Sequence, residues 1–142
     1  MDNKKNKFNL YQATVIFSVL FALLGFSYNV WRMEISEQNN NIRTACFEIL
    51  IELSSLEQLI YTAYYDGDLK EGSPRKGWVK VGLILDLSTL TADTVEARAA
   101  TLKKVWTAQW KTMINDKDSV SQIVSAIDSV RSEIKLVLSS LE

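Results

Sequence analysis

The chain contains no histidine, one cysteine and one proline, and each shortage removes a class of function or architecture. Without histidine it lacks the commonest general base, the commonest transition-metal ligand and the side chain that titrates at physiological pH. A Ser-His-Asp triad is therefore impossible, and the serines show no spacing that supports a Ser-Lys pair. Cys46 alone cannot close an internal disulfide, and zinc sites usually need more Cys or His than this chain has. One proline and five glycines are little punctuation for 142 residues, which favours long helices over many short strands. A net charge of −1 gives no electrostatic footprint for nucleic acid. These absences predict a non-enzymatic protein with no metal and no cofactor.

What is present begins with a run that carries no charge. From Phe8 to Trp31 there is no ionisable acid or base of the Asp, Glu, Lys or Arg type, and ATVIFSVLFALLGF at its centre is almost wholly apolar. About 20 residues at ~1.5 Å each cover the ~30 Å hydrocarbon core of a bilayer, and a helix satisfies its own backbone there. Phe8 and Tyr11 flank one end and Tyr28 and Trp31 the other, as an aromatic belt at each interface would require. Lys4, Lys5 and Lys7 precede the run, whereas Arg32 and Arg43 follow it amid Glu34 and Glu37. The positive-inside rule then places the N-terminus in the cytoplasm and the remainder in the periplasm or outside the cell.

Three other readings of this run are weaker. A buried core helix explains neither the aromatic ends nor the lysine-rich lead. A cleaved secretory signal has its best cut before Tyr28, framed by Gly25 and Ser27, but no A-x-A motif is present. A pilin-like leader lacks its glycine before Phe8 and its glutamate in the apolar run. The sequence thus divides into a cytoplasmic tail (1–7), a transmembrane anchor (8–31), a polar stalk (32–41) and an extracytoplasmic domain (42–142). Within the stalk, EISEQNNN offers no face to a core, so that segment is expected to be helical or frayed.

Four helices are predicted beyond the stalk. Helix 1, over about 42–65, places Ile42, Cys46, Ile49, Leu53, Leu56, Ile60 and Ala63 on one stripe, with Phe47, Leu50 and Ile51 widening it. A loop over 66–72 follows, and Ser73-Pro74 resembles an N-cap with proline at the first helical position. Helix 2 runs to about Leu90 with Val79, Leu83, Asp86 or Leu87, and Leu90 inward. Asp93 with Glu96 reads as a capping box for helix 3, with Thr91 as the alternative cap. Its stripe of Val95, Ala99, Leu102, Trp106 and Met113 extends to about Ile114. After a break at 115–118, Ser119 with Gln122 forms another box. Helix 4 then carries Val120, Ile123, Ile127, Val130, Ile134, Val137 and Leu141 at strictly alternating steps of three and four.

Short connections favour antiparallel neighbours, so the expected fold is all-α: one transmembrane helix, then an antiparallel up-down four-helix bundle. About 24 residues of helix 4 descend ~36 Å, back to the level of Ile42. Its seam suits the interior of one bundle, although a homo-oligomer could also use it.

That topology gathers Tyr61, Tyr64, Tyr65, Trp78, Trp106 and Trp110 at the pole farthest from the membrane, beside Arg75 and Lys76 of the longest loop. Large rings at helical spacing are ordinary core, but Tyr and Trp also dominate interface anchors, which makes this pole the candidate partner or ligand surface. Asp66-x-Asp68 opens like a calcium loop, yet Lys70 stands where a ligand belongs and Gly72 is misplaced, so a solvated turn is expected. Cys46 reads as a small buried hydrophobe, and Glu48 with Glu52 as a solvent face.

The function expected from these features is a protein-interaction or assembly subunit of a cell-envelope complex, anchored in the inner membrane. Extracytoplasmic four-helix bundles also resemble, in architecture only, the sensing domains of chemoreceptors and sensor kinases, which implies a small-ligand sensor signalling through a partner. A membrane-acting toxin, immunity or exclusion protein is the third expectation.

Overall fold

A computed structural model describes the backbone of residues 2–141 and the side chains of 11–141. The lysine cluster at Lys4, Lys5 and Lys7 and the expected belt residue Phe8 fall outside the described side chains. The chain is all-helical, with four helices and no strand among the described residues: α1 (Asp2–Tyr64), α2 (Pro74–Ser88), α3 (Asp93–Gln109) and α4 (Lys117–Ser140). The predicted anchor, stalk and first bundle helix are thus one helix, 63 residues long. Extending an existing helix fixes one residue per hydrogen bond, so the three asparagines at 39–41 continue it despite their poor propensity.

The described residues fall into two compact units that divide between Gln38 and Asn39. In the first unit, α1 exposes its apolar residues all round. One 18-residue window is apolar enough to cross a membrane, and none of it is buried within the protein. A core helix of a soluble protein would be mostly buried, while a signal sequence near the N-terminus passes the same test. Phe17 stacks near Phe21 and Tyr28 near Trp31, both with ring centroids 6.2 Å apart.

The second unit holds the hydrophobic core. Cys46, Ile49, Leu53, Leu56, Ile60 and Ala63 of α1 are buried as their spacing predicts, as are Val95, Ala99, Leu102 and Trp106 of α3, Met113 in the turn after it, and Val120, Ile123, Ile127, Val130 and Ile134 of α4. Helix α3 packs on both α2 and α4. Side-chain bonds join α1 to its neighbours: Lys80 meets Glu52 at 3.0 Å, Arg131 meets Glu57 at 2.8 Å, and Arg43 Nη2 donates to the Leu141 carbonyl at 2.8 Å.

Several local expectations are corrected. Phe47 and Ile51 do not widen the core stripe; both are more than half exposed, and Ala45 and Leu59 are buried instead. In α2 the inward face is Gly77, Val81, Ile84 and Ser88, while Val79, Leu83 and Asp86 face solvent and Leu87 is only partly buried; the helix ends at Ser88, so Leu90 lies exposed in the turn beyond it. The reason is Gly77. A Cβ there would overlap Trp106 Cη2 and Cζ2, so the indole of α3 lies flush on the α2 backbone. A face built on a glycine and a serine has too little apolar signal to be read from hydropathy.

The caps differ too. Ser73 is the α2 N-cap followed by proline, but its hydroxyl makes no capping bond. Ala92, not Asp93 or Thr91, caps α3, and Asp93 and Glu96 lie in its first turn, where negative charge complements the helix dipole. Helix α3 ends at Gln109, and the residues up to 115 form turns. Asp116 caps α4, accepting from the backbone N–H groups of Asp118 and Ser119, so the expected Ser119 box is replaced.

Candidate functional site

The eight candidate residues separate into a tyrosine group, a tryptophan group and a basic pair. At the C-terminal end of α1, Tyr64 and Tyr65 meet edge to face at 4.8 Å and Tyr61 and Tyr65 lie 5.8 Å apart. The helix ends there because Gly67 takes a left-handed φ of 65°, which other residues adopt at a steric cost. Trp78 on α2 meets Trp106 and Trp110 near perpendicular at 6.4 Å and 6.2 Å. Among the described residues no ring contact joins the tyrosines to the tryptophans.

Burial divides them further. Trp106 is wholly buried, so it supports the site without offering surface, and its indole N–H has no hydrogen-bond partner. Trp78, Trp110 and Tyr64 are half-buried against the core, with Lys111 Nζ 5.3 Å from the Trp110 ring centre. Tyr61, Tyr65, Arg75 and Lys76 are exposed, the last two in the first turn of α2 and not in the loop where the sequence placed them. The accessible candidates are thus two tyrosines and the basic pair, while the three tryptophans pack on one another.

Between the end of α1 and the start of α2 runs a groove of about 260 Å³, lined by Ser55, Gln58, Leu59, Thr62, Glu71, Lys76 and Lys80. Only Lys76 of this set was named from the sequence. Lys76 pairs with Glu71 at 3.0 Å and Lys80 with Glu52 at 3.0 Å, so the groove walls carry neutralised charge beside free hydroxyl and amide groups. Glu52 is therefore not simply solvent-facing; its partner lies 28 residues away on another helix, a contact that no local spacing announces. A second depression borders Tyr61, Tyr65 and Asp66.

A charged chain runs along the other flank of Tyr61. The Tyr61 hydroxyl donates to Glu57 Oε1 at 3.1 Å, and Arg131 bonds both Glu57 Oε2 and Asp128. Partial burial and then the Glu57 carboxylate raise the Tyr61 pKa above that of a free phenol. The hydrogen bond to Glu57, with its charge, holds Arg131 above its usual value despite opposing desolvation. In the loop, the Asp68 carboxylate accepts from the backbone N–H groups of Lys70 and Glu71, which ties it to the turn. Among the described residues no three His, Cys, Asp or Glu side chains are arranged to hold a metal ion. Cys46 is wholly enclosed, and burial pushes its thiol pKa up, away from the reactive thiolate.

Searches against known protein families, curated proteins and solved structures found no match to this chain.

Proposed function

We propose that this is a single-pass inner-membrane protein whose extracytoplasmic helical bundle binds another envelope protein, acting as a non-catalytic accessory or assembly subunit. The observation that carries the reading is the contrast between the two units. The first exposes phenylalanine and leucine on every side of its helix, which water does not tolerate as a large continuous patch but hydrocarbon does. The second encloses a hydrophobic core and exposes Tyr61, Tyr65, Arg75 and Lys76, with Lys76 lining the polar groove and the two tyrosines the second depression. Exposed tyrosine and arginine are among the residue types enriched as anchors of protein-binding surfaces.

An antiparallel up-down order for the bundle is part of this proposal. It is supported by two cross-helix pairs, since Arg43 meets Leu141 while Glu57, farther along α1, meets Arg131, earlier in α4.

The test is crosslinking in cells from a photoreactive phenylalanine placed at Arg75 or Lys76, both exposed. One reproducible envelope protein captured from both positions, and absent from a probe at Ser132, is the expected result. No captured protein, or the same background from all three, overturns the proposal. Orientation is read separately: Ser139→Cys should react with a membrane-impermeant maleimide in intact cells, over a low background because native Cys46 is enclosed. The polar groove favours a second reading, a small-ligand sensor. A ligand-induced thermal shift that Lys80→Ala and Thr62→Ala abolish would support it.

A further inference from the structure

Helix α1 carries two heptad series in the second unit. One is buried in the core. The other is Phe47, Ile51, Ser54, Gln58 and Tyr61, continued by Tyr65 one residue past the helix end, at alternating steps of four and three, and every member is exposed. None of the six is charged, although a solvent face of a helix normally concentrates charge. Phe47 is 53% and Ile51 57% exposed. Residues 47–65 span about 27 Å along the helix, room for close to three heptads.

We propose that this face is covered by α1 of a second copy of the same chain, packed parallel and in register as a two-stranded seam. Three observations favour a copy over an unrelated apolar helix. The 3.5-residue repeat is the spacing at which two helices keep one seam in contact along their length. Ser54 and Gln58 occupy seam positions, where a parallel copy sets each against its own counterpart. The Ser54 hydroxyl is already satisfied by the Leu50 carbonyl at 2.9 Å, and at Gln58 amide meets amide, whereas a purely apolar partner would strand that amide. Charge then fixes the direction. Arg43 and Glu48 flank the seam five residues apart, at the two positions that face each other across a parallel pair. By symmetry this makes two complementary pairs. In an antiparallel pair Glu48 would face Asn41, Ser55 or Thr62, none of them a cation. Glu48 forms no ion pair among the described residues, and Arg43 uses one N–H on the Leu141 carbonyl, leaving other donors free. The α4 seam, the alternative for self-association, is buried in the core of its own unit.

This inference does not rest on the membrane position, but its seam claims Tyr61 and Tyr65, which leaves Arg75 and Lys76 as the exposed part of the candidate surface open to the envelope partner proposed above. Crosslinking to a second copy and not to another protein tells the two apart. In the full-length chain in mild detergent, Ser54→Cys should form a disulfide-linked dimer at least tenfold faster than Ser132→Cys, which lies exposed on α4. Adding Ile51→Glu should abolish the Ser54→Cys crosslink without lowering helicity, because Ile51 is more than half exposed and lies outside the core of its own unit. Glu48→Arg should slow it, and the exchange Arg43→Glu with Glu48→Arg should restore it. Equal rates for Ser54→Cys and Ser132→Cys, a dimer indifferent to Ile51→Glu, or a Ser54→Cys crosslink only to a different protein would each overturn the proposal.

Discussion

Two glycines in the same helix respond in opposite directions to the same substitution. Gly77 and Gly82 both weaken the propensity of α2, and from the sequence they are indistinguishable. In the structure a Cβ at Gly77 would overlap the Trp106 ring, whereas one at Gly82 meets nothing within 4 Å. Gly77→Ala should therefore destabilise the bundle by roughly 1–3 kcal/mol, the usual cost of overpacking, which outweighs the ~1 kcal/mol of helix propensity regained. Gly82→Ala should instead stabilise it by about 0.5–1 kcal/mol. Chemical denaturation of the two variants reads both signs, and equal shifts would show that the indole does not lie against Gly77. Trp106 shows the limit of the sequence reading. Its place on the α3 stripe was legible, but what it packs on was not, because the partner is a glycine with no hydropathy signal.

Among the elements, α1, α3 and α4 were legible because each has an inward stripe of large apolar residues at helical steps, and α2 was misread because it does not. Its exposed Val79 and Leu83, with Leu90 just past its end, carry more hydropathy than its buried Gly77, Val81, Ile84 and Ser88. Val79→Glu and Leu83→Glu should change stability by no more than about 0.5 kcal/mol, while Val81→Asp should prevent cooperative unfolding from being observed at all. The opposite ranking would restore the face expected from the sequence. The start of α4 gives a pH prediction. Hydrogen bonds from the Ser119 hydroxyl and backbone N–H, with that of Asp118, hold the Asp116 carboxyl below its ordinary pKa. A group whose folded pKa is lowered adds stability above its unfolded pKa of about 3.9, and that stability is lost as pH falls through the folded value. Asp116→Asn keeps a capping oxygen but cannot titrate. Wild type should therefore be the more stable at pH 7, with the gap to the variant narrowing as the pH drops below about 4. A gap that is constant from pH 7 to pH 3 would show that the carboxylate charge contributes nothing to the cap.

At the scale of the molecule, the division between Gln38 and Asn39 separates residues by what can bury them. Every described residue in the enclosed core lies at Ala45 or beyond, so the large apolar side chains before Gln38 must find another environment than this chain's own interior. If that environment is the bilayer, arginine near the middle of the run should cost about 2.5–3.5 kcal/mol of insertion for each substitution. Leu20→Arg with Leu24→Arg should then move the chain from the carbonate-resistant membrane fraction to the soluble one. The melting temperature of the second unit should not change, because neither residue belongs to its core. The alternative of a cleaved secretory signal makes a different prediction for the same material. Cleavage before Tyr28 would leave an exported chain whose intact mass lacks residues 1–27, and whose α1 begins with the aromatic pair Tyr28 and Trp31 rather than ending a span there. Mass spectrometry of the membrane fraction separates the two, and a mass beginning at Tyr28 would remove the anchor while leaving the core and the outward heptad of α1 untouched. Retention of the 1–27 segment together with carbonate resistance that the arginine pair abolishes is the outcome expected, since only a span accounts for both.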